Sequence, residues 1–119
     1  VDAGPFFLKH PLELSGSAQD IYERTADLVY DMNAEILEHQ PEPKPQEGEV
    51  VRFERRTPEQ SRLPAGATPR ELYDHIRMLD AETYPRAFME DGSYRVELGD
   101  AELSDDQVTA KAVIRLMEE

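Results

Sequence analysis

The chain has 119 residues, 39% hydrophobic and 33% charged, with a formal net charge of −13. That is enough for one modest domain or a piece of a larger protein, and the balance suits a globular chain rather than a disordered one. The acidity argues against nucleic acid as a partner, because such binding depends on Lys and Arg neutralising phosphates. There is no Cys, so disulfides and thiolate metal sites are excluded.

The start, Val1-Asp2-Ala3-Gly4-Pro5, has neither the basic nor the apolar region of a signal peptide, and no apolar run reaches the ~20 residues of a membrane span. The cytoplasm is the expected compartment. A first residue other than Met suggests a piece of a longer protein. Pro5 to Leu14 reads as a strand, with Pro11 at an edge or bend. Ser17, three residues before Asp20, has N-cap spacing. A long helix is expected over 18–38. Its apolar stripe is Ile21, Leu28, Val29, Met32, Ile36 and Leu37, with Tyr22 and Thr25 beside it.

Pro41-Glu42-Pro43-Lys44-Pro45 is stiff and extended, so 41–48 reads as a linker between a unit over 1–40 and another over 49–119. Glu49 to Arg55 reads as a strand. Thr57-Pro58-Glu59-Gln60 and Thr68-Pro69-Arg70-Glu71 both carry helix-start signals. The first predicts a single turn and the second a helix over 69–80 that buries Leu72, Ile76 and Leu79, with Tyr73 beside them. Arg77 and Asp80 are spaced for an i,i+3 pair. Ala87 to Leu98 reads as a hairpin turning at Asp91-Gly92. Ser104-Asp105-Asp106 is a turn. A last strand over 108–117 places Val108, Ala110, Ala112, Ile114 and Leu116 on one face.

Chemistry is sparse. There is no Gly-rich phosphate loop, nucleophile elbow or zinc-like His pair, and His10, His39 and His75 read as surface or hydrogen-bonding residues. Asp2 stands on a short loop before a strand, where a carboxylate can be held to move a proton or orient a water, although on local sequence alone a turn at a chain end is the plainer reading. Arg52, Arg55 and Arg56 form a local basic stretch able to meet one anionic group, or a solvated strand end.

Taken in order, these segments resemble a known family. Asp2-Ala3-Gly4-Pro5 is similar to the loop that carries the catalytic aspartate in the N10-formyltetrahydrofolate-dependent formyltransferases. The next forty residues resemble the last strand and closing helix of their Rossmann-like catalytic domain. Arg55-Arg56-Thr57-Pro58-Glu59-Gln60-Ser61 resembles the Arg-Thr-Pro stretch leading out of it. Ile76-Arg77 with Tyr84-Pro85-Arg86-Ala87-Phe88 resembles the start of a C-terminal OB-like β domain, with Ala101 at the end of its hairpin. Arg86 stands where the family's Pro-Gly-Ala motif has Gly.

The resemblance implies an α+β chain: a terminal strand–helix unit, then a small OB-like β-rich domain with one helix. It implies formyl transfer from N10-formyltetrahydrofolate to an amine in the intact protein. Asp2 would be the catalytic carboxylate, and Arg52, Arg55 and Arg56 would be substrate contacts. No metal or cofactor is expected for this chain alone. The family's catalytic Asn and His precede this stretch, so the chain alone is expected to be inactive and to associate with the missing half, or with itself through an exposed strand and helix. Asp and Glu outnumber Lys and Arg over 49–119, which favours a small acceptor, such as a nucleotide-linked amino sugar, over tRNA. The alternatives are an acidic β-rich binding module and a small enzyme assembled as an oligomer.

Overall fold

The computed structural model describes residues 2–118; Val1 and Glu119, the outer ends of the expected first and last units, lie outside it. The chain divides into two compact units. The first comprises residues 1–15 and 21–54, the second residues 16–20 and 55–119.

Helix α1 spans Ala18–His39, and most of it lies in the first unit. Its start is capped as the spacing predicts: Ser17 N donates to Asp20 Oδ2 at 3.0 Å and Asp20 N donates to Ser17 Oγ at 3.1 Å. Ile21, Leu28, Met32 and Ile36 are half-buried, but Val29 and Leu37 are exposed. These two belong to a second apolar stripe with Tyr22, Ala26 and Tyr30, and Tyr30 and Leu37 are each 78% exposed. The strand expected over Pro5 to Leu14 is reduced to one bridge, Phe6 with Lys44, whose amides and carbonyls exchange two 2.8 Å bonds. A strand needs a neighbouring ladder, and the described residues of the first unit form no sheet to supply one. The Glu49 to Arg55 strand does not form for the same reason, which leaves Phe53 91% exposed. Pro41 to Gln46 is held within this unit through Lys44 and through Gln46, whose Nε2 donates to the carbonyls of Asp2 and Gly4 at 2.8 and 2.7 Å. No described residue of the first unit is fully buried.

The second unit holds the core. A short 3-10 turn, Pro58–Ser61, precedes helix α2, Pro69–Met78. Thr68 caps α2 reciprocally: its hydroxyl accepts from Glu71 N at 3.2 Å and its amide donates to Glu71 Oε2 at 2.8 Å. Strands β1 (Ala87–Asp91), β2 (Tyr94–Ser104) and β3 (Gln107–Leu116) form an antiparallel sheet in the order β1-β2-β3. Thus the α+β class holds, with an open three-stranded sheet where an OB-like unit was expected. Ile76 and Leu79 pack on Ala87, with Leu63, Leu98, Ala101 and Val108 around them.

Two details of the sheet differ from expectation. Asp91 pairs with Tyr94, so the hairpin loop is Gly92-Ser93, and positive φ falls on Gly92 (57°) rather than on Asp91. On β3 the expected apolar face exists, but only Val108 is even half-buried; Ile114 and Leu116 are 64% and 71% exposed. Alternation determines which side chains share a face, not whether anything covers it.

Candidate functional site

Asp2, in the first unit, has a φ of 59°. That left-handed conformation is uncommon outside Gly, and Asp and Asn are the side chains that tolerate it best. Gln46 holds the loop by its hydrogen bond to the Asp2 carbonyl, so the exposed carboxylate stands on a fixed turn. Arg52, Arg55 and Arg56 are exposed; Arg52 belongs to the first unit and the other two to the second. Arg56 donates to the carbonyl of Gln60 at 3.1 Å.

Two of the three histidines are hydrogen-bonded, and exposed His39 lies 4.0 Å from Glu38. His10 Nε2 meets Glu35 Oε2 at 2.8 Å within the first unit. Within the second unit, half-buried His75 donates from Nε2 to the carbonyl of Ser61 at 3.0 Å, tying α2 to the 3-10 turn. No group of acidic, His or Cys side chains among the described residues is arranged to hold a metal.

The second unit has a cleft of about 590 Å³ at the end of α2. Its charged lining is Asp20, Asp80, Asp100 and Glu102 against Arg77 and Lys111. Both cations are engaged. Arg77 donates to Asp74 Oδ1 at 2.8 Å and to the Gly16 carbonyl at 3.0 Å, and Lys111 lies 3.1 Å from Asp100 Oδ2. The excess of carboxylates disfavours anions. Asp80 organises the cleft wall. One carboxylate oxygen accepts from Asp100 N at 2.9 Å, the other pairs with Arg86, and its carbonyl accepts from Gln19 N at 3.0 Å. Asp100 has a φ of 49° and sits in the β2 irregularity between Gly99 and Glu102. A bulge leaves a backbone donor without a strand partner, and Asp80 supplies the acceptor. The expected Arg77–Asp80 pair is therefore replaced: Arg77 pairs one turn back with Asp74, and Asp80 pairs forward with Arg86. This gives Arg86 a role in place of a Gly at that position. The Asp80–Arg86 latch lacks helical spacing, so no local rule exposed it.

The opposite side of the sheet carries a second polar assembly. Buried Phe88 is covered by Arg95, 3.7 Å from the ring centre, and by Arg62, 4.9 Å away. Glu90 bridges these two guanidiniums, at 3.3 Å from Arg62 and 3.6 Å from Arg95. Every member has a partner, which is the signature of structure rather than of a vacant site.

The second unit is thus an α+β domain with one helix packed on a small antiparallel sheet and no catalytic constellation of its own among the described residues. Residues 58–115 match the family described as methionyl-tRNA formyltransferase, C-terminal domain. A methionyl-tRNA formyltransferase structure from Clostridium thermocellum is 40% identical, with a TM-score of 0.91 over 97% of this chain. The second unit is a formyltransferase C-terminal domain. The chain spans about half the length of that solved structure, 51%. A search of curated proteins gives no match. No helix among the described residues is long and apolar enough to cross a membrane.

Proposed function

We propose that this chain is the C-terminal portion of a cytoplasmic formyltransferase that moves a formyl group from N10-formyltetrahydrofolate to an amine. The likeness to the Clostridium thermocellum enzyme runs through nearly the whole chain, including the 1–54 segment that lies outside the family match, and this observation carries the reading. The first unit supports it independently. None of its described residues is fully buried, and it exposes the Tyr22, Tyr30 and Leu37 stripe together with Val50, Val51 and Phe53. A unit that cannot bury its apolar surface alone needs a further body to cover it. A catalytic half containing a sheet would supply both the helix cover and the missing strand neighbours.

In this reading Asp2 is the group that holds or moves a proton from the attacking amine, on a turn fixed by Gln46. The carboxylate-rich cleft of the second unit does not suit the acidic tail of a folate, so no residue of this chain is assigned to the donor. The second unit is acidic, which favours a small amine, with Arg52, Arg55 and Arg56 available to an anionic group on it. The solved relative's title names methionyl-tRNA, so both acceptors belong in one assay.

The test uses the enzyme that contains this chain. Formyl transfer from N10-formyltetrahydrofolate is measured with nucleotide-linked amino sugars and with methionyl-tRNA. Asp2→Ala should lower kcat ~100–10,000-fold with little change in binding. Full activity in that variant removes Asp2 from the mechanism. Transfer to tRNA alone removes the small-acceptor reading, and transfer to neither acceptor leaves the chain an acidic binding module.

A further inference from the structure

Pro41 to Pro45 carries the composition of a linker, yet within the first unit it lies back along the start of the chain. Phe6 N donates to Lys44 O and Lys44 N donates to Phe6 O, each at 2.8 Å. Pro43 and Pro45 flank Lys44 and have no backbone N–H. Lys44 alone of these three residues can donate, so the bridge cannot slip by one residue. Antiparallel pairing of Phe6 with Lys44 sets residue 46 opposite residue 4. Gln46 stands there, and its Nε2 donates to the carbonyl of Asp2 at 2.8 Å and to that of Gly4 at 2.7 Å. A primary amide has two N–H donors, and both are used on one turn.

We propose that Gln46 is a positioning residue for the Asp2 carboxylate, with the proline-flanked segment as the strut that presents it. The inference rests on the assignment of Asp2 to proton movement. Asp2 has a φ of 59°, a conformation that a residue with a side chain leaves for extended backbone unless something holds it. Both bonds from Gln46 end on backbone carbonyls, so Gln46 sets the direction in which Asp2 projects and does not compete for the carboxylate. Two bonds, to residues 2 and 4, fix the orientation of the turn as well as its place. Gln46 is exposed, so its side chain adds little to packing. Proton transfer requires the carboxylate within hydrogen-bond reach of the attacking amine, and a displacement of about 1 Å can cost about 100-fold in rate.

The test uses the enzyme that contains this chain, with N10-formyltetrahydrofolate and whichever of methionyl-tRNA and a nucleotide-linked amino sugar it formylates. Gln46→Met keeps the length and removes both donors; Gln46→Glu keeps the shape and also cannot donate. Each should lower kcat about 10–100-fold and leave both KM values within about twofold. Glu47→Ala, the next residue along, should keep the parent rate. In an Asp2→Ala background the Gln46 variants should cause no further loss, because the group they position is gone. Gln46 variants as fast as the parent, with Asp2→Ala slow, overturn the inference and leave Asp2 in place. Losses that multiply in the double variant, or a raised KM at unchanged kcat, overturn it too, because they put Gln46 in general stability or in substrate binding. Asp2→Ala at full rate, or a parent enzyme without formyl transfer, overturns the Asp2 assignment and this inference with it.

Discussion

Replacing Asp80 should unfasten the second unit at its β2 bulge. The carboxylate is 14% exposed and serves Asp100 N at 2.9 Å and the Arg86 guanidinium together. In Asp80→Ala both partners lose it. A hydrogen bond to a charged acceptor is worth ~1.5–3 kcal/mol. The Arg86 pair adds about 0.5–1 kcal/mol, because Arg86 is a third exposed and solvent screens it. The expected loss is therefore ~2–4 kcal/mol, or roughly 10–20 °C in the melting of a unit this small. Asp80→Asn keeps an oxygen for the Asp100 amide and loses only the charge, so about 1 kcal/mol should go. Thermal melts by circular dichroism give the global effect, and hydrogen exchange at Asp100 N–H gives the local one. Protection there should vanish in the Ala variant and persist in the Asn variant. If Asn were as damaging as Ala, the ion pair alone would matter and the bulge-capping role would be refuted. If neither shifted the melt, the latch would have no energetic weight.

Two further outcomes follow from the geometry. Gly16 has a φ of 86°, and a Cβ there would lie 2.6 Å from Asp20 Oδ2, so Gly16→Ala should break the reciprocal Ser17–Asp20 cap and cost ~1–3 kcal/mol, read in urea titration. Asp74 is held below the usual carboxylate range, first by its hydrogen bond from Arg77 and further by the charges of Arg70 and Arg77. A lowered folded-state pKa stabilises the fold above the unfolded value, about pH 4, and that contribution is lost as pH falls through the folded value. Asp74→Asn should therefore destabilise at neutral pH and flatten the acid limb of the stability profile; an unchanged acid limb would remove Asp74 from that linkage.

The second unit was largely legible in the sequence because its signals are local. Thr68-Pro69 with Glu71 carries a capping box in its own side chains, and the spacing of Ile76 and Leu79 marks a buried face that the structure fills with Ala87. The hairpin was legible from its alternation and Gly92, yet its turn moved by one residue. Asp-Gly fits a loop with two positive φ values, whereas Gly-Ser needs only one, and the β1–β2 register selects the latter. The Asp80–Arg86 latch was hidden because it joins a helix end to a strand start through the chain reversal between them.

The failures share a cause. Pro5 to Leu14, Glu49 to Arg55 and the apolar face of β3 all carry the composition of buried strands, yet Phe6, Leu8, Leu12 and Val108 are only half-buried and most of the rest is exposed. Periodicity records the environment a segment was selected for, and that environment includes bodies outside the segment. An exposed Phe53 at 91% or Leu116 at 71% is therefore not a failed reading of the residue but a measure of what the residue expects to meet. The two units differ in what that is. Among the described residues the first unit has none fully buried and exposes both a helix stripe and an extended apolar segment, whereas the second unit has its core in place.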